Sequence, residues 1–288
     1  MKLDGCYINL DRSAERRDLM EAQLRELGVA DLIRRFAAVD GRAHGPYEGI
    51  AQNGAWACRR SHEAALGAAS PDSATIVLED DVEISHHFPA ILQPDTIAHF
   101  AATSPEVDMA FLDCCIYWAQ APLLLAKSEG RMTQRAADAP DDVRHRLATV
   151  DVLDARGIYA YCAAAYVVTP KGKRTLARLF EAAAADPATP IDTLYNRWIH
   201  TGALDARIFV PFLATPRLTL ASTIGCEDGD LPVIDPDERF WAGVFRRLVF
   251  AGNPAFDLAQ LETHLNPARA SREYLLGMRV YEHFRTLT

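Results

Sequence analysis

The sequence predicts an α/β fold: one large domain built on a mainly parallel sheet, followed by a helical C-terminal extension. Three observations predict it. Short apolar runs suited to buried strands alternate with helical segments along most of the chain. Polar residues gather where those runs end, and open α/β sheets collect ligands at the carboxyl ends of their strands. From Asp228 onward the pattern turns helical.

Cys6 to Leu10 is the first strand run. Ser13 is placed to cap a helix from Ala14 to Leu27, where Met20, Leu24 and Leu27 recur at helical spacing, and Gly28 ends it. Arg35 to Asp40 (RFAAVD) reads as a second strand closed by Gly41. A turn-rich stretch, RAHGPYEGIAQNG, precedes a helix from Trp56 to Ala68. Residues 75–79 form a third strand, and Met109 to Asp113 (MAFLD) a fourth. The segment from Leu123 to Asp154 is polar and reads as a long loop or flap. Gly157 to Thr169 is a strong β run, and Pro170 starts a helix around Gly172 to Ala185. Another helix opens at Ile191-Asp192 and runs to Thr201. Ile208–Leu213 and Leu218–Ile224 are strand-like. Helical pieces follow near Pro236–Ala251, Phe256–Leu265 and Arg269–Thr286. No internal repeat stands out.

Bulk properties narrow the function classes. A length of 288 residues allows one large domain or a domain plus an appendage, and 49% hydrophobic with 24% charged residues argues against disorder. The net charge of -9 lacks the cationic excess that nucleic-acid phosphates need, so no nucleic-acid partner is expected. The six cysteines form no CxxC pair, and most sit in apolar runs, the pattern of buried thiols in a reducing compartment. The N-terminus lacks an apolar signal region, and no apolar run approaches the roughly 18 residues that span a bilayer. The expectation is a cytoplasmic protein without an integral membrane segment, either free or held at the inner face of the membrane through a partner.

The stretch Thr75 to Ile84, TIVLEDDVEI, delivers three adjacent carboxylates, Glu79, Asp80 and Asp81, from the end of a strand-forming run. Their mutual repulsion is offset either by solvent and helix dipoles or by a bound divalent cation, for which carboxylates are natural oxygen ligands. The nearest rival, a P-loop NTPase, needs GxxxxGK[ST]; Pro170 to Thr175 lacks the first glycine and has Arg174 in the hydroxyl position. His62-Glu63 and His86-His87 lie in no HExxH frame, and no GxSxG elbow occurs.

Seven motifs in order resemble glycosyltransferase family 25, the family of bacterial lipopolysaccharide and collagen galactosyltransferases. Tyr7-Ile8-Asn9-Leu10-Asp11-Arg12-Ser13 with Glu15-Arg16-Arg17 is similar to its N-terminal INLDRSxxRR. Phe36 to Gly41 is similar to its AVDG element. Ala57-Cys58-Arg59-Arg60-Ser61-His62 resembles GCxxSH, with Ala57 in place of glycine. Leu78-Glu79-Asp80-Asp81 is similar to its LEDD signature, Ala160 to Lys173 and Pro190-Ile191-Asp192 to its later elements, and Ser222-Thr223-Ile224 to its SxI. The resemblance covers about residues 5–225. It implies a GT-A-like catalytic domain over 1–225 with a mixed sheet, leaving 226–288 as the helical extension. It further implies a nucleotide-sugar donor such as UDP-galactose, inversion at the anomeric carbon, and Mn²⁺ or Mg²⁺ at the acid cluster.

On that basis each site residue has an expected role and a plainer alternative. Glu79 and Asp81 alternate along a strand and are expected to face the metal and donor, with Asp80 turned into a hydrogen-bond network or a helix N-terminus. Asp192 is the candidate general base on the acceptor hydroxyl; at a helix start it is otherwise a capping carboxylate. Asn9, Asp11 and Arg12 are expected at the nucleoside, with a solvated helix face as the alternative for Arg12, Arg16 and Arg17. Asp40 either contacts the nucleoside or caps the turn at Gly41. Ser61, His62 and Ser222 are carried over as donor-binding positions, though a lone helical histidine is often a satisfied core residue. His200 is either a third metal ligand or a helix C-terminal cap. Residues 226–288 either pack on the catalytic domain or form a homodimer or acceptor-docking surface. Two rival functions remain: a metal-dependent nucleotidyltransferase that adds Asp113 to the acids, and a non-catalytic nucleotide-sugar-binding member of the same fold. The acceptor, whether a glycan, a lipid-linked glycan or a protein, leaves no local signal.

Overall fold

Seven strands form the central sheet of the computed structural model, which describes residues 1–135, 150–217, 220, 245–251 and 276–280. In chain order the strands are β1 (Lys2–Asn9), β2 (Ile33–Ala37), β3 (Ser73–Glu79), β4 (Val82–Ile84), β5 (Met109–Ile116), β6 (Asp151–Asp154), β7 (Tyr159–Val168), β8 (Ala206–Val210) and β9 (Ala214–Pro216). The sheet order is β2-β1-β3-β7-β5-β8-β6, while β4 and β9 make a separate antiparallel pair. β1, β2, β3, β5 and β8 point one way; β7 and the edge strand β6 point the other. The sheet is therefore mixed but mostly parallel.

The central strands are the ones with continuous apolar runs. Every residue of β5 is buried, as is β3 from Ser73 to Leu78, as expected for strands covered on both faces. The register sets the site. Ile8 pairs with Glu79, and Asn9 pairs with Ala37, so β1, β2 and β3 end level with one another.

The described helices include α1 (Ala14–Glu26), α2 (Gly41–His44), α3 (Ile50–Ala68), α4 (Phe88–Ile91), α5 (Pro94–Thr103), α6 (Ala121–Arg135), α7 (Pro170–Ala182), α8 (Ile191–Thr201) and α9 (Arg246–Val249). Gly28 ends α1 with φ +69°, and the Val29 N–H reaches back to the Leu24 carbonyl at 2.9 Å, a Schellman closure. Thr169 caps α7 by accepting from the Gly172 N–H at 2.9 Å, with Pro170 at the first helical position. Among the described residues no helix is long and apolar enough to cross a membrane.

Several expectations are revised. The polar segment from Leu123 is not a long loop. Its first part lies in α6, where Ala121, Leu124 and Leu125 make a buried stripe at helical spacing, and its end is β6; residues 136–149 lie outside the description. The strand expected to end at Asp113 continues to Ile116, so Asp113 is an interior position. The strand near Arg35 starts earlier, at Ile33, and ends at Ala37. The turn-rich stretch before Trp56 holds α2 and the start of α3. There Gly41 lets the two approach, since a Cβ would meet the Asn53 carbonyl oxygen at 2.5 Å. Ser13 makes no side-chain cap bond. Of the extension, only 245–251 and the helical residues 276–280 are described. Phe245, Leu248 and Val249 are buried, and the Phe212 N–H donates to the Val249 carbonyl. The strand expected at Leu218–Ile224 and most of the C-terminal helices fall outside the described residues.

Candidate functional site

The level ends of β1, β2 and β3 make a polar rim, and Asn9 ties it together. Buried as the last residue of β1, its amide donates to Asp80 Oδ2 at 2.7 Å and to the Ser13 carbonyl at 3.1 Å. Its Oδ1 accepts from Arg35 Nε at 2.9 Å. Arg35 also bonds the Asn9 carbonyl at 3.2 Å and pairs with the exposed Asp11 carboxylate. One strand away, Arg12 reaches Asp40 at 3.4 Å, and Asp40 caps α2 by accepting from the Arg42 N–H at 2.9 Å. Both readings of Asp40 therefore retain a footing: it caps the turn and stays at the rim.

The three acids meet three different environments. β3 ends at Glu79, so Asp80 and Asp81 lie in the turn to β4 and not in strand geometry. Asp80 is buried and paired, with Asn9 on one oxygen and Arg16 Nη1 at 2.9 Å on the other. Arg16 is thus turned inward rather than solvated. Glu79 points at α3, where His62 Nε2 lies 3.4 Å and Cys58 Sγ 3.9 Å from its Oε1. Burial pushes the Glu79 carboxyl up, but the hydrogen bond and charge of His62, with Arg246 and Arg16, outweigh it and hold it below its ordinary value. Asp81 differs from both. Its Oδ2 lies 3.6 Å from Arg16 Nη1, while its Oδ1 is buried with no hydrogen-bond partner among the described residues. Burial first, then the charge of Glu79, pushes its carboxyl to about 7.

His62 is buried, with Nδ1 2.8 Å from the Tyr166 hydroxyl and its ring stacked on that tyrosine at 5.7 Å between centroids. Tyr195 donates to the same hydroxyl at 3.4 Å. Burial pushes the Cys58 thiol well above its ordinary value, and the charges of Glu79, Asp192 and Asp81 add to it, so one thiol feels three carboxylates. That places Asp192 beside the cluster. It is the second residue of α8, after Pro190 at the cap position. Its Oδ1 accepts from the Thr193 N–H at 2.8 Å and its Oδ2 from the Cys162 N–H at 3.4 Å. Cys162 takes φ +81°, rare for a residue with a Cβ, beside the irregular β5–β7 pairing.

Behind the rim, Asp113 is fully buried and clasped through both oxygens by Arg246, with Nε at 2.9 Å from Oδ1. Burial disfavours the charged guanidinium, but Asp113 and the thiols of Cys162 and Cys115 outweigh it, so Arg246 stays charged. Both Asp113 oxygens are engaged in this pair, although the carboxyl still feels the charge of Glu79.

The structure therefore brings Asn9, Asp80, Glu79, Asp81, His62 and Asp192 into one region, with Asp11, Arg12 and Asp40 on its rim. Ser61 is engaged elsewhere: its hydroxyl donates to the Ala57 carbonyl at 2.7 Å and accepts from the Val39 N–H at 2.9 Å. His200 is corrected as a metal candidate. It lies at the far end of α8, bonded to the Asn196 carbonyl at 2.8 Å and edge-on to Tyr117. Ser222 lies outside the described residues. Sequence reasoning missed Arg35, Tyr166 and Arg246 as site-forming residues, and gave Cys58 no role beyond a buried thiol within the GCxxSH-like motif. Compared with protein-family models the chain matches none, and no curated protein matches it.

Proposed function

We propose that the chain is an inverting glycosyltransferase with a GT-A-like catalytic domain, moving a sugar from a UDP-sugar donor to a hydroxyl of a glycan acceptor, as in surface-glycan synthesis. One observation carries this reading: the buried Oδ1 of Asp81, which has no hydrogen-bond partner among the described residues, beside Glu79 at the end of β3. A carboxylate oxygen left without a donor in a buried site is costly unless something cationic meets it. The donor set fits a hard divalent cation, Mn²⁺ or Mg²⁺, held by Asp81 and Glu79. Such an ion, when bound, would stabilise the negative charge of a departing diphosphate. The ordered resemblance to family 25 supports the choice of a nucleotide-sugar donor, and the mixed sheet with polar strand ends is the frame that donor needs.

The chain's own residues then divide the work. Asn9 and Asp80 are satisfied by each other, Arg16 and Arg35, so they position the rim rather than contact the donor. Arg12, Asp11 and Asp40 keep exposed polar atoms there for the nucleoside. Asp192 takes the acceptor proton as the acceptor oxygen bonds to the anomeric carbon and the carbon–oxygen bond to the diphosphate breaks, its electron pair leaving with UDP. The nucleotidyltransferase alternative is weaker, because its extra carboxylate, Asp113, is already paired with Arg246.

The test is a thermal-shift screen of UDP-sugars with and without Mn²⁺, followed by Asp192→Asn. The expected result is Mn²⁺-dependent stabilisation by a UDP-sugar, retained in Asp192→Asn while transfer or donor hydrolysis is lost. Stabilisation by nucleoside triphosphates but by no UDP-sugar would overturn the reading.

A further inference from the structure

We propose that Cys58, His62 and Glu79 form a second kind of metal centre, a three-ligand site for a thiophilic divalent cation, Zn²⁺ in preference to Mg²⁺ or Ca²⁺. Cys58 and His62 are four residues apart on α3 and so share one face, which is turned toward the end of β3. One donor atom from each of the three side chains lies within 4.8 Å of the others. Glu79 Oε1 is 3.4 Å from His62 Nε2 and 3.9 Å from Cys58 Sγ. Zinc bonds of about 2.0–2.1 Å to nitrogen or oxygen and about 2.3 Å to sulfur put tetrahedral donors about 3.3–3.7 Å apart. The two Glu79 spacings therefore need to contract by only a few tenths of an ångström, and Cys58 to His62, within 4.8 Å, would close by up to about 1 Å.

The surroundings suit a ligating histidine. A metal-bound imidazole usually gives its other nitrogen to a fixed hydrogen-bond partner, which sets ring orientation. His62 Nδ1 already faces the Tyr166 hydroxyl at 2.8 Å, the ring is stacked on that tyrosine, and Tyr195 steadies the hydroxyl from the other side. A cation on Nε2 would fix the tautomer in which Nδ1–H donates to Tyr166. A mixed thiolate, imidazole and carboxylate set selects a borderline-soft ion over hard ones. Three protein ligands would leave a fourth position open, the pattern of zinc sites that bind water or substrate. Asp81 is outside this set, whereas Glu79 is shared with the Glu79–Asp81 pair proposed above, so a cation here would compete with that pair for one carboxylate but needs no nucleotide donor.

The experiment uses the full chain, reduced and stripped with chelator, titrated with Co²⁺ as a spectroscopic stand-in for zinc. The expected result is a thiolate-to-cobalt charge-transfer band that saturates at one equivalent and is bleached by Zn²⁺ but not by excess Mg²⁺. Cys58→Ser should abolish the band, and His62→Gln and Glu79→Gln should weaken Zn²⁺ binding by at least about 10-fold; Asp81→Asn should retain the band. X-ray absorption of the zinc-loaded wild type, which depends on no variant, should show one sulfur with nitrogen and oxygen ligands. The absence of a band in folded wild type, a band that survives Cys58→Ser, loss of the band in folded Asp81→Asn, or a zinc shell without sulfur would overturn the proposal.

Discussion

Asp81→Asn should stabilise the metal-free protein while removing the feature the metal is expected to use. In the folded chain burial, with the neighbouring Glu79 charge, raises the Asp81 carboxyl from an ordinary 3.8 to about 7. Because the folded state holds that proton more tightly than the unfolded state, stability contributed at low pH is lost as pH rises through the folded value. At about 1.36 kcal/mol per pH unit, the interval from 3.8 to about 7 corresponds to about 4 kcal/mol, an upper figure for a strongly interacting group. The side chain is only 17% exposed, so solvent screening removes little of it. Asparagine resembles the protonated acid, so wild type and variant should be nearly equal at pH 4. The variant should gain steadily to about 4 kcal/mol above pH 7. Urea unfolding of both proteins in chelator at several pH values between 4 and 8 measures the difference, and titrating groups remote from Asp81 cancel in the comparison. A variant that is less stable at pH 8, or a difference that does not change with pH, would refute the reasoning. Added Mn²⁺ at pH 8 should stabilise wild type and leave the variant unchanged.

Four further single substitutions probe the frame. Arg246→Met strands the fully buried Asp113 carboxylate and should cost about 3–5 kcal/mol in urea unfolding, most of it recovered in the double variant with Asp113→Leu. Gly172→Ala would press a Cβ into the Asp108 carbonyl and should cost about 3 kcal/mol or more. Gly67→Ala, in α3 with open space around it, should instead gain about 0.5–1 kcal/mol, and a scan of both variants separates packing from helix propensity. Ser61→Ala should lose about 1 kcal/mol through the Val39 N–H it no longer serves, with unchanged affinity for any UDP-sugar that binds wild type.

What was legible in the sequence is what physics writes locally. A strand-forming run that ends in acids, a proline opening α7, and Gly28 just past α1 each declare themselves within a few residues. What was hidden depends on partners far apart along the chain. Arg246 meets Asp113 across 133 positions, and Asn9 meets Asp80 across 71. The antiparallel placement of β7 between β3 and β5 has no local signal either, since a buried strand looks the same in both directions. Cys58 belongs to the same class: its helix spacing to His62 was visible, but only the register that brings Glu79 over both gives that spacing a meaning.

The hidden contacts also explain why a strand would deliver three like charges to one turn. Glu79, Asp80 and Asp81 do not share one environment, and the repulsion expected of them as a block is divided. Asp80 is neutralised within the fold by Arg16 and held by Asn9, so it stiffens the turn. Glu79 is drawn toward α3 by His62. Only Asp81 keeps a buried oxygen with nothing described opposite it, and burial raises its carboxyl. A Mn²⁺ or Mg²⁺ bound as proposed would thus meet an Asp81 oxygen whose neighbours are fixed by the other two acids. Disturbing Asp80 should weaken Mn²⁺ binding through displacement of Asp81, whereas changing Asp81 should remove Mn²⁺ binding outright.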